Sequence, residues 1–92
     1  MDITEVIAQA KQRAGLSSDY ALSKKLKVSR SAVHNWLNDI GAPSTESALE
    51  LAAMSGVEPM RVVAACEARR AREPSAVKFW SSIANGEVWR KR

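Results

Sequence analysis

Apolar residues recur at helical spacing from the first turn of the chain. Ile3, Val6, Ile7, Ala10 and Ala14 fall at i, i+3, i+4, i+7 and i+11, which is one stripe of a helix. Asp2 stands at the cap position with Glu5 three residues on. Gly15 can adopt the left-handed conformation that ends a helix, and Leu16 follows as the apolar contact back onto the last turn. The pattern predicts a helix over 3–14.

Ser17 and Ser18 offer the next caps, and Ala21, Leu22 and Leu26 mark the apolar face of a short helix ending near Leu26, with Lys24 and Lys25 pointing outward. After Lys27 and the apolar Val28, Ser29 caps a helix over 30–37 whose inward residues are Val33, Trp36 and Leu37. The segment NDIGAPS, residues 38–44, has Gly, Pro and no helical period, so it reads as a loop. Ser44 or Thr45 caps a fourth helix with Ala48, Leu49, Leu51 and Ala52, which stops at Gly56. Pro59 suits the first position of a fifth helix, whose inward stripe is Met60, Val63, Ala64 and Ala68. Pro74 interrupts it and Ser75 can cap a sixth, in which Ala76, Phe79, Trp80 and Ile83 repeat the period before Asn85 and Gly86. The tail EVWRKR frays unless Trp89 docks. There is no internal repeat.

Composition agrees with an all-α chain. Ninety-two residues make one domain with one core; 46% are hydrophobic, only 5% aromatic, and alanine supplies much of the apolar fraction. A single cysteine, Cys66, excludes an internal disulfide and reads as a packing residue. With one histidine, His34, it cannot form a structural zinc site. No apolar run approaches the ~20 residues of a membrane span, and the acidic start MDITEVIAQA is unlike a signal peptide. A reducing, cytoplasmic setting is expected. Paired carboxylates at a recognisable spacing, a glycine-rich phosphate loop and a metal cluster are all missing, so no catalytic role and no cofactor is expected.

Charge adds a polarity to this scaffold. The chain carries +4, but residues 17–38 hold Lys24, Lys25, Lys27 and Arg30 against Asp19, whereas 39–60 hold Asp39, Glu46, Glu50 and Glu58 with no base. One face should be positive and another negative.

The second and third helices, joined by a short turn, have the geometry of a helix-turn-helix. Leu22 and Leu26 face inward, Ser23 is small where the helices cross closely, Val28 plugs the turn, and Val33 and Trp36 anchor the second helix. Through the run DYALSKKLKVSRSAVHNWLND, residues 19–39, the sequence resembles the lambda-repressor-like Cro/CI or XRE class of DNA-binding domains. GAPSTESALELAAMSGVEPMRVVAA is similar to the closing helices of that class, so residues 2–66 are covered. The whole length, with REPSAVKFWSSIA at its end, resembles small phage and prophage regulators of the DUF3693 family. Two positions depart from the pattern: Lys27 stands where the turn usually has glycine, and Asp19 where a phosphate-contacting glutamine is common. Asp19 would repel phosphate unless it serves as a cap, and Ser18 and Tyr20 would then take over that contact.

The resemblance implies an all-α, lambda-repressor-like five-helix bundle with a short C-terminal helix. Residues 1–73 would be the DNA-binding domain, 74–86 a packing or dimerisation element, and 87–92 a basic tail. It further implies that Arg30, Ser31, His34 and Asn35 read bases, Arg30 suiting guanine and Asn35 adenine. Ser18, Tyr20, Lys24, Lys25, Lys27, Ser29 and Asn38 would contact the DNA backbone, which adds affinity without sequence information. One reading helix spans too few base pairs for a specific site, so a homodimer on a palindromic operator is expected, joined through the fifth and sixth helices with Phe79, Trp80 and Ile83 at the seam. The implied function is a phage or prophage repressor acting near its own gene. The alternative is a protein-binding module, an antitoxin or an inhibitor of a host protein, contacting its partner through Arg69, Arg70, Arg72 and the tail.

Overall fold

The computed structural model describes residues 1–87. The expectations for Trp89 and the basic tail therefore lie outside the described residues. Six helices follow in order: α1 (Ile3–Ala14), α2 (Asp19–Leu26), α3 (Arg30–Leu37), α4 (Thr45–Ser55), α5 (Pro59–Arg70) and α6 (Pro74–Ala84).

The ends of these helices are set by local chemistry. The Asp2 carboxylate accepts from the Thr4 amide and hydroxyl while Glu5 accepts from the Asp2 amide, and Gly15 ends α1 at φ 69°. Ser18, Ser29 and Ser44 cap α2, α3 and α4 by accepting from the Ala21, Ala32 and Ser47 amides. Glu58 caps α5, with Pro59 in its first turn. At α6 the cap residue is Glu73 rather than Ser75, and Pro74 opens the helix, its missing N–H costing nothing there.

Helix α1 packs against α4, α4 against α5, α5 along α6, and α2 against α3. Ile3, Val6, Ile7, Leu22, Val33, Leu51 and Val62 are fully buried where these surfaces meet, joined by Trp36 and Cys66. Inward assignments change at Ala14, which is exposed because it stands in the last turn of α1 past the buried stripe, and in two further helices. In α4, Leu49 is half exposed while Ser47 and Ser55 are buried; in α5, Met60 is exposed and the buried residues are Val62, Ala64, Ala65 and Cys66. The cause is common to both. These helices are contacted from more than one side, so the residues they bury do not fall on the single stripe that a two-layer reading assumes. Helix α6 is tied on by the guanidinium of Arg61, whose Nε donates to the Ala84 carbonyl at 3.1 Å, and by the Met1 amino group, which donates to Asn85 Oδ1.

Candidate nucleic-acid interface

Helices α2 and α3 meet through Leu22, Leu26 and Val33, with Ser23 buried at their crossing and its hydroxyl donating to the Tyr20 carbonyl at 2.7 Å. Between them, Lys27 adopts the left-handed conformation (φ 58°, ψ 42°), and the Val28 amide reaches back to the Ser23 carbonyl at 3.0 Å. A lysine thus accepts the turn that glycine usually makes. A second non-glycine left-handed residue, Asp39 (φ 63°), ends α3, where the Ile40 amide donates to the Asn35 carbonyl at 2.8 Å. Helix α3 is bracketed by two strained residues, each costing about 1–2 kcal/mol relative to right-handed backbone.

Arg30, Ser31, His34 and Asn35 are all exposed, as expected of α3 residues turned away from Val33 and Trp36. Ser18, Tyr20, Lys24, Lys25, Lys27, Ser29 and Asn38 are exposed as well, so the helix-turn-helix brings the whole set to the surface. Their circumstances differ. Among the described residues, Arg30 has no hydrogen bond or ion pair, and its guanidinium carbon lies 5.4 Å from the centroid of the Tyr20 ring, which also carries the Lys24 ammonium at 5.3 Å. Ser18 and Ser29 use an oxygen lone pair as helix caps but keep a hydroxyl proton to give. Asn38 spends one amide proton on the His34 carbonyl at 2.8 Å and lies 3.4 Å from His34 Nε2. Asp19 is not the cap of α2; its carboxylate accepts from the Lys11 ammonium at 2.6 Å, which offsets the negative charge on this face.

The expected seam residues do not share one environment. Phe79 is exposed, whereas Trp80 and Ile83 are half buried and pack on the core of their own chain, Trp80 meeting the Phe79 ring edge-on at a centroid distance of 5.1 Å.

Two arginines have roles that the sequence reading missed. The Arg69 side chain is nine-tenths buried; its Nη1 donates to the Trp36 carbonyl at 2.8 Å and the Gly41 carbonyl at 3.1 Å, and its Nη2 to the Asp2 carboxylate at 3.2 and 3.4 Å. Arg70 donates to the Pro43 carbonyl and pairs with Glu67 at 2.9 Å. Arg69 is therefore not the solvated contact residue that the run of arginines implies; Arg70 makes internal bonds yet stays exposed, and Arg72 makes no such internal contact among the described residues. No sequence signal marks Arg69, because its partners lie 28 to 67 positions away. Burial pushes the Asp2 carboxyl up, but the Thr4 hydroxyl, the Ile3 and Thr4 amides and the Arg69 charge together hold it below the usual carboxylate range. Burial also pushes the Cys66 thiol up to about 11, against a smaller opposing pull from Arg70 and Arg69.

Comparison with known proteins agrees with this geometry. The sequence matches the helix-turn-helix family HTH_3 over residues 7–60, more than half of the chain, a span running from the middle of α1 to the start of α5. No curated protein and no solved structure matches the chain. Members of this family are DNA-binding regulators rather than enzymes. With α2, the left-handed turn and α3 inside the matched span, the chain belongs to the HTH_3 family of helix-turn-helix DNA-binding domains.

Proposed function

We propose that this chain is a phage or prophage repressor that binds, as a homodimer, a palindromic operator near its own gene in the cytoplasm. The observation that carries this reading is the exposed face of α3, where Arg30, Ser31, His34 and Asn35 are open to solvent, as are Lys24 and Lys25 of α2 and Lys27 of the turn that leads into it. Arg30 donates to guanine O6 and N7, and Asn35 pairs with adenine N6 and N7, each such pair adding roughly 1–3 kcal/mol of discrimination. Ser31 and His34 complete the base-reading row. Lys24, Lys25 and Lys27 meet phosphates, and Ser18, Tyr20, Ser29 and Asn38 add backbone contacts that fix register. Residues 1–73 form the reading domain. Residues 74–86 pair two copies, with Phe79 as the outward aromatic and Trp80 and Ile83 supporting it from behind. The phage setting rests on the resemblance read from the sequence alone.

The protein-binding alternative loses Arg69 as a contact residue, because that side chain is buried and bonded within its own chain, while Arg70 and Arg72 stay exposed. Binding to DNA flanking the gene decides between the two, measured across a salt series against scrambled duplex and repeated with Arg30→Ala. A repressor binds one palindrome tightly and loses that preference in the variant. Weak binding equal for all DNA, and abolished by modest salt, would refute it.

A further inference from the structure

We infer that Arg69, on α5 and away from the DNA-facing surface, is the positioning residue that fixes the C-terminal half of α3, and with it the bases that His34 and Asn35 read. The inference rests on the DNA-reading proposal above.

Helix α3 has only eight residues and packs chiefly against α2, with a smaller contact to α1. A helix this short is not held straight by its own cooperativity, so its direction depends on what grips its ends. Its start is gripped by the Ser29 cap and the Lys27 turn. Its end, at the negative pole of the helix dipole, is closed by the Asn38, Asp39 and Ile40 amides donating to the His34, Trp36 and Asn35 carbonyls, the Trp36 bond being the longest at 3.3 Å. There Arg69 delivers a full positive charge and a directed bond to the Trp36 carbonyl, with the same Nη1 also donating to Gly41. Arg69 Nε stands 3.4 Å from Asp39 Oδ1, within ion-pairing range though not aligned as a hydrogen bond, and Asp39 is the left-handed residue that ends α3. The other arm of the guanidinium is held by Asp2, the cap of α1. One rigid, planar fork therefore locks the end of α3 to the beginning of α1 and to α5. Lysine has the charge without the fork.

The consequence concerns discrimination more than affinity. Base-edge hydrogen bonds require the donor within about 0.5 Å and 10–20° of its productive position. Lysine–phosphate attraction has no such requirement. Loosening the end of α3 should blur the bases read by His34 and Asn35, near the clamp, while sparing the base read by Arg30, which sits at the other end beside Tyr20.

The test uses the full chain. The preferred operator is selected from random duplex DNA, then affinities for it, for all its single-base variants and for scrambled duplex are measured for the natural chain, Arg69→Met, Arg69→Lys and Asn35→Ala, with amide hydrogen exchange on the free proteins. Both Arg69 variants should keep their helicity and bind scrambled DNA as the natural chain does. They should lose about tenfold in the operator-to-scrambled ratio, at the same base pairs that Asn35→Ala relaxes, and exchange faster at the amides of Asn38, Asp39 and Ile40. An unchanged ratio, a loss spread evenly over all base pairs, or full rescue by lysine would overturn the inference. If Arg69→Met does not fold, Asp39→Asn must show the same position-specific loss at smaller size, and its absence overturns the inference equally. If the natural chain selects no sequence, the DNA-reading proposal fails, and the clamp is then judged by exchange alone: unchanged rates at 38–40 refute it.

Discussion

The guanidinium carbon of Arg30, the first residue of α3, stands 5.4 Å from the centre of the Tyr20 ring, near the start of α2. An aromatic face so placed limits the arcs through which a long side chain swings, and an exposed cation–π contact contributes about 0.5–1 kcal/mol. Tyr20→Ala should therefore lower preference at the base read by Arg30 roughly two- to fivefold. Tyr20→Phe separates two roles: competition binding should show base preference kept, because the ring remains, with a uniform fall in affinity where the hydroxyl meets phosphate.

Lys27 offers a direct test of backbone strain. In the left-handed conformation its Cβ is crowded, which glycine escapes. Lys27→Gly should raise unfolding free energy by about 0.5–1 kcal/mol in urea titration. The same substitution should reduce the salt slope of DNA binding by about one charge. A stabilised protein with an unchanged slope would remove Lys27 from the phosphate contacts.

Acid should loosen the clamp at the start of α1. The Asp2 carboxyl is held below its ordinary value of 3.8, so its contribution to stability is complete above that value and disappears as pH falls through its lower folded value. Thermal melts between about pH 5 and 2 should show a steeper acid loss for the natural chain than for Asp2→Asn. Parallel curves would mean that Asp2 contributes nothing through its charge.

Cys66 should be inert in the folded chain. It is buried, and its thiol, raised to about 11, stays protonated at neutral pH. A thiol reagent at pH 7 should label it only through unfolding, so the labelling rate should rise with urea in step with the loss of helicity. Rapid labelling of fully helical protein would contradict this burial.

Pairing of two copies depends on α6 in our proposal. Phe79 is its exposed aromatic, so Phe79→Glu should convert a dimer to a monomer in light scattering without lowering helicity, and specific operator binding should fall with it. Trp80→Ala should act differently, destabilising the fold by roughly 2–4 kcal/mol because its ring packs on the core of its own chain. A natural chain that is monomeric at high micromolar concentration would leave the seam without support.

The sequence alone determined the helices and most of their ends, because both depend on neighbours in the chain. Asp2 with Glu5, Gly15, Ser18, Ser29 and Pro59 act within four residues of themselves, and the α1 stripe from Ile3 to Ala10 and the Leu22, Val33 and Trp36 anchors report burial through spacing alone. The exposed set on α2 and α3 was legible for the same reason: once Val33 and Trp36 are inward, the residues opposite them are outward. Where a helix is packed from more than one side, spacing misleads, as at Leu49 and Met60. What only the tertiary structure decided is how charges are spent. Arg69 and Arg70 look like solvated cations in the run RRARE, and Asp2, Asp19 and Asp39 like scattered acids. Folding brings Asp2, Trp36, Asp39 and Gly41 around one guanidinium and Lys11 onto Asp19, because a buried cation must find its partners wherever the fold places them, at any distance along the chain.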